Sequence, residues 1–156
     1  MPKKQNLHIG RIHADWCGHC VSLKKEWETM KHNIQHAFGR SIKNVDLEYY
    51  DFEDSEARKQ KGHFIENELK DYNMKFLPNS EEKVALQGGF PTLFKLLDGK
   101  LEYFEGNRQA NDMMSWYLQG TKQKGGKRSR KKRVKSKKNK KRFNRSTRKT
   151  NLFRWF

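Results

Sequence analysis

Apolar residues recur along this chain with two different spacings, and the changes between them outline its elements. Residues 7–14 form a short apolar run that reads as a central strand. From Cys20 the apolar positions fall at Cys20, Leu23, Trp27, Met30, Ile34 and Phe38, steps of three and four that trace one face of an α-helix. Lys24, Lys25, Glu28, Lys31 and Gln35 lie elsewhere on the wheel, and Gly39 suits a C-terminal stop. Val45 to Phe52 alternates apolar and polar residues and predicts a second strand. Asp54 or Ser55 can cap a helix over roughly 56–73, with Phe64, Ile65, Leu69 and Tyr72 on its apolar side and Gly62 weakening its first half. Residues 74–88 read as loop with some helix around Ser80–Ala85. Thr92–Leu97 and Lys100–Glu105 flank Asp98-Gly99, the signature of a tight hairpin turn. A last helix, about 109–119, turns Met113, Trp116 and Tyr117 inward and stops at Gly120. The order β-α-β-α-β-β-α predicts an α/β fold, a mixed sheet flanked by helices.

Charge divides the chain. Overall it carries 35 Lys and Arg against 18 Asp and Glu, a formal net charge of +17. From Thr121 to Phe156 there are 18 basic residues and no acidic one, so the first 120 residues hold 17 basic against 18 acidic and are nearly neutral. The basic segment has no apolar periodicity with which to offset the entropy of ordering, so disorder is expected for 120–156. Residues 1–6 read as a flexible N-terminus and 7–119 as one folded domain with a single modest core. The polar start Met1-Pro2-Lys3-Lys4-Gln5-Asn6 leaves no room for a secretory signal before the first strand. No stretch approaches the ~20 apolar residues of a membrane span, and the C-terminal Asn151–Phe156 is not a retention signal. These features predict a soluble, non-secreted protein, cytoplasmic or nuclear, in a reducing compartment unless something else oxidises it.

The chemistry concentrates at Asp15-Trp16-Cys17-Gly18-His19-Cys20, which contains both cysteines of the chain. A C-x-x-C at a strand-to-helix junction reads as a thiol–disulfide redox pair. Two intervening residues on a first helical turn bring the sulfurs within bonding reach and leave the first at the exposed helix end. There, unpaired N–H groups and the positive end of the helix dipole stabilise a thiolate, the attacking species. Cys17 is the candidate nucleophile, and Cys20, one turn in, the resolving thiol. Zinc is the other use of such a pair, but a tetrahedral site wants four ligands. Only histidines (His13, His19, His32 or His36) are on offer to complete it, and His32 and His36 lie far along the helix.

Trp16-Cys17-Gly18-His19-Cys20, Gly89-Phe90-Pro91-Thr92, the Asp-Gly hairpin and Gly106-Asn107-Arg108 ahead of the last helix together resemble the thioredoxin superfamily. The five-residue motif looks like the catalytic domains of protein disulfide isomerases. The resemblance covers about 7–119, poorly across 56–88, and implies a minimal thioredoxin-like fold. It implies catalysis by Cys17 and Cys20 with Gly18, His19 and Arg108, and substrate contacts from Trp16, Phe90 and Pro91. Pro91 takes the place of a cis-proline facing the redox pair. Arg108 matches an arginine able to swing toward the resolving cysteine and lower its pKa. No cofactor is implied beyond a redox-active Cys17–Cys20 disulfide, and no metal. The partners are protein thiols and disulfides and an upstream thiol oxidase or reductase. An imidazole beside the Cys17 thiolate favours the reduced form and makes the disulfide more oxidising. Thioredoxin near −270 mV and disulfide isomerase near −180 mV differ by about 4 kcal/mol, and the oxidising end is expected here.

The chain also departs from that pattern. Six residues before the first cysteine, where the family has a buried carboxylate, stands Arg11, which needs an acidic partner such as Asp51 or Asp15 or must reach solvent. Lys25 replaces a helix-kinking proline, and the segment before Pro91 is some twenty residues longer than in a typical member. The basic segment 121–156, with sparse aromatics Phe143, Phe153, Trp155 and Phe156, suits nonspecific attraction to nucleic acid or another polyanion. It equally suits a nuclear address or a membrane surface. Such tails look similar to those on packaged proteins of large DNA viruses, which makes a virus particle the alternative location.

Overall fold

The computed structural model describes residues 3–38, 40 and 42–121. Along the chain run β1 (Gln5–Ala14), α1 (Gly18–Ala37), β2 (Val45–Asp54), α2 (Glu56–Lys59), α3 (Ile65–Phe76), β3 (Thr92–Leu97), β4 (Lys100–Tyr103) and α4 (Ala110–Leu118). The strands form one mixed sheet in the order β2-β1-β3-β4, with β1 parallel to β2 and antiparallel to β3. β3 and β4 make the hairpin, turned by Asp98 and Gly99, both at positive φ (50° and 87°). This is the geometry that favours glycine in primed turns.

β1 is central and buried on both faces, which is why it reads as a continuous apolar run rather than an alternating one. Its alternate residues serve different layers. Leu7 and Ile9 pack with Leu23, Trp27, Met30 and Ile34 of α1 and with Met113 and Tyr117 of α4. On the other face, Ile12 joins Phe52, Phe94 and the α3 residues Ile65 and Tyr72. The helical face expected for α1 is its buried face, from Cys20 to Ile34. Gly10 allows the layers to meet: a Cβ there would lie 2.0 Å from the Phe94 ring.

Several expectations need correction. β1 starts at Gln5, two residues early, because ladder pairing of Gln5 and Asn6 with Val45 and Asp46 needs backbone groups rather than apolar side chains. β2 likewise runs on to Asp54, paired with Ala14. The single helix expected over 56–73 is two. Gly62 adopts φ +80°, His63 N–H donates to the Arg58 carbonyl and Gly62 N–H to the Lys59 carbonyl, closing α2 with a glycine cap. The α2 cap position is Ser55, without a side-chain capping bond. Around Ser80–Ala85 there is no helix. That stretch is held open by Asn73, whose amide accepts from Val84 N–H (2.7 Å) and donates to its carbonyl (2.9 Å). Trp116 is only half-buried, while Met113 and Tyr117 are fully enclosed. Gly39, the expected stop of α1, and the basic segment from 122 onward lie outside the described residues. Thr121 belongs to the folded part, its hydroxyl donating to the Leu118 carbonyl. Among the described residues no helix is long and apolar enough to cross a membrane.

Candidate active site

β1 ends at Ala14, and a short turn through Asp15 and Trp16 places Cys17 at the N-cap of α1, with extended backbone (φ −91°, ψ 116°) and no side-chain cap. The Cys20 thiol and the backbone N–H groups of Cys20 and His19 lie around the Cys17 sulfur and favour its thiolate. These donors hold the Cys17 thiol below its ordinary value against partial burial, with a smaller contribution from the Arg108 guanidinium. Burial drives Cys20 the opposite way, to about 11. The Ala14 N–H, 3.5 Å away, and the charge of Arg11 pull it back only in part. One sulfur is thus favoured as a thiolate and the other is kept protonated one turn deeper.

Phe90 and Pro91 close the site from the far side. Their peptide bond is cis, and the Cys17 thiol donates to the Phe90 carbonyl at 3.6 Å. The Phe90 ring meets exposed Trp16 edge-on at 5.5 Å. A Cβ on Gly18 would meet nothing within 4 Å, so glycine there leaves the first turn open to an approaching chain. His19 is exposed, and its backbone N–H contributes to the thiolate. Arg108 lies with its guanidinium 3.5 Å from the Pro91 carbonyl. From there its charge acts on Cys17, whereas the cation acting on Cys20 is Arg11.

Arg11 is 6% exposed and bound through two nitrogens to Asp51, its register partner on β2, at 3.1 and 2.6 Å. Its guanidinium also lies 5.0 Å from the centre of the Trp27 ring. Of the two acids proposed from the sequence, Asp51 is the partner. His13 binds the same carboxylate at 2.7 Å. Burial alone would raise Asp51, but the hydrogen bonds from His13 and Arg11 outweigh it and hold the carboxyl down to about 2. A cavity of about 290 Å³ joins Arg11, His13, Asp51 and Cys20. The sequence pointed to Arg11 through its departure from a family pattern and to Asp51 as one of two candidate partners; His13, offered there only as a zinc ligand, joins this cluster through the strand register. His32 and His36 face each other on α1, their Nε2 atoms 3.2 Å apart.

The sheet order, the α1–α4 layer opposite α3 and the cysteine pair at the first β-to-α junction define the architecture. The fold is thioredoxin-like. No protein-family model and no curated protein matches the sequence. Solved structures similar to the chain include the zinc-bound form of human ERp44, at 17% identity and TM-score 0.45 over 72% of this chain and 26% of that one. A second is the first two thioredoxin domains of Naumovozyma dairenensis Eps1p, at 19% identity and TM-score 0.42 over 73% and 34%. A third is the first thioredoxin domain of mouse protein disulfide-isomerase A4, at 17% identity and TM-score 0.41 over 74% and 62%. The chain spans less than two thirds of each of these.

Proposed function

We propose that this chain is a thiol–disulfide oxidoreductase of protein substrates, working through a mixed disulfide at Cys17. One observation carries the reading: the Cys17 sulfur sits at the N-terminus of α1, held toward the thiolate and facing the Phe90 carbonyl, with protonated Cys20 beneath it. In the reducing direction the Cys17 thiolate attacks a substrate disulfide. A Cys17–substrate S–S bond forms, the substrate S–S bond breaks and one substrate thiolate leaves. Cys20 then attacks the Cys17 sulfur as its proton passes to the departing sulfur, leaving a Cys17–Cys20 disulfide. The protein is oxidised by two electrons and the substrate reduced by two. In the oxidising direction every step reverses, and a thiol oxidase or reductase closes the cycle. Arg11 favours the attacking Cys20 thiolate, and Asp51 keeps that buried cation paired.

Glutathione titration with thiol trapping and mass spectrometry tests this. Donors stabilising the Cys17 thiolate favour the reduced form, so we expect a potential of about −180 to −200 mV, an oxidant or isomerase. A value near −270 mV would instead make the protein a reductant. Cys17→Ser abolishes turnover and Cys20→Ser accumulates mixed disulfides. Failure to form the disulfide at any poise overturns the reading. We further propose that the acid-free basic segment beyond 121 tethers the enzyme to a polyanion by charge, independently of the redox site.

A further inference from the structure

The long segment between β2 and Pro91 builds a cavity of about 840 Å³. One wall is α3, contributing Ile65, Leu69 and Met74; the other is the extended stretch carrying Val84 and Leu86; Phe90 also lines it. This is the size and lining of a ligand pocket rather than of a packing defect. Met74 is 57% exposed and Leu86 42%, an apolar mouth that a solvated surface does not need. The second wall is tied down on both sides. Asn73 clasps Val84 from α3, and the Tyr103 hydroxyl accepts from Ala85 N–H (3.0 Å) and donates to the Lys83 carbonyl (2.9 Å). Asp54, Glu66, Lys70 and Lys83, two of each sign, also line the cavity, so the site has no strong charge preference.

Continuity decides the occupant. Phe90 lines the cavity and also presents its carbonyl to the Cys17 sulfur and its ring to Trp16. A polypeptide whose cysteine meets Cys17 therefore has an apolar groove beside it, reached across Phe90. We infer that the groove between α3 and residues 83–86 binds an apolar side chain flanking the substrate cysteine, so that the enlarged segment selects substrates by their hydrophobic neighbours. This rests on the redox reading above but is separable from it.

Two measurements on the full chain test the inference. The first is independent of sulfur chemistry: 15N-labelled protein is titrated with a cysteine-free peptide rich in Leu and Phe, and with a Ser/Gly control. The apolar peptide is expected to shift amides of α3, 83–86 and Phe90. Shifts elsewhere, no shifts, or equal shifts with the control overturn the proposal. Groove amides that move with protein concentration alone mark a second copy as occupant and also overturn it. The second compares kcat/KM for two cysteine peptides differing only in apolar or polar flanks. The wild type should prefer the apolar flank by about tenfold or more, the scale of discrimination an apolar pocket achieves. Met74→Lys/Leu86→Lys should collapse that ratio toward one; an unchanged ratio overturns the proposal. Loss of disulfide formation would count against the redox reading alone, because the thiol-free titration does not depend on it.

Discussion

At the residue scale, the two sulfurs differ in environment more than in position. Cys17 receives donors and Cys20 receives burial. Alkylation requires the thiolate, so iodoacetamide should modify Cys17 below the pH at which an ordinary thiol reacts. Cys20 should stay unmodified until the solution approaches its pKa of about 11. Peptide mapping after brief pulses between pH 5 and 10 checks this; equal labelling of both cysteines at neutral pH would contradict it. Arg11 shows how one side chain changes a site's chemistry. Where the resembling family has an acid, this chain holds a cation bound to Asp51, whose carboxylate also binds His13, and that cation acts on Cys20.

At the element scale, both ends of α4 are completed from elsewhere in the chain. Its first N–H group, that of Ala110, donates to the Glu26 carboxylate of α1 at 2.9 Å. Near its C-terminus the carbonyls of Trp116 and Gln119 accept from the buried Lys95 ammonium at 3.0 and 3.3 Å, a cation that also pairs with Glu102 at 2.9 Å. A carboxylate at the start and a cation at the end both complement the helix dipole. The contact between β1 and β3 is as specific. Gly10→Ala drives a Cβ into Phe94 and should cost about 1–3 kcal/mol, the usual penalty of overpacking. Urea unfolding measures it, and Gly10→Ala/Phe94→Leu should be less destabilised than the sum of the single variants. Additive losses would mean that the ring moves aside.

At the scale of the whole molecule, acid should weaken the fold. His8 is buried against the Tyr72 hydroxyl at 2.7 Å, and burial lowers its pKa from 6.5. Glu102 is held down to about 2 by Lys100 and Lys95, and Asp51 to about 2 by the net effect described above. In each case the folded state binds its proton less readily than the unfolded chain, so stability is lost as protons are taken up. The loss should begin below pH 6.5 through His8 and steepen from about pH 4.5 toward 2 through the carboxylates. Urea midpoints at pH 7, 5 and 3 should fall in that order; a midpoint rising toward pH 3 would refute it. The basic segment acts on a different scale. If 6–10 of its charges meet phosphates, affinity for DNA should fall by about 10³–10⁵ between 50 and 200 mM salt. A flat salt dependence would exclude a tether by charge.

The strands, α1, the Asp98-Gly99 turn and the place of the two cysteines at the start of α1 were legible because each rests on local physics: periodicity, turn conformation and a strand-to-helix junction. Gly62 was visible as a weak point, but whether it would merely weaken a helix or end one depends on the backbone bonds that close α2. The partner of Arg11 was narrowed to two acids and decided by strand register, which sets Asp51 beside it. The caps of α4, the close approach of Phe94 to Gly10 and the groove beside Phe90 had no local signal at all. Each joins residues distant in sequence, and such contacts exist only once the sheet has brought its strands and helices together.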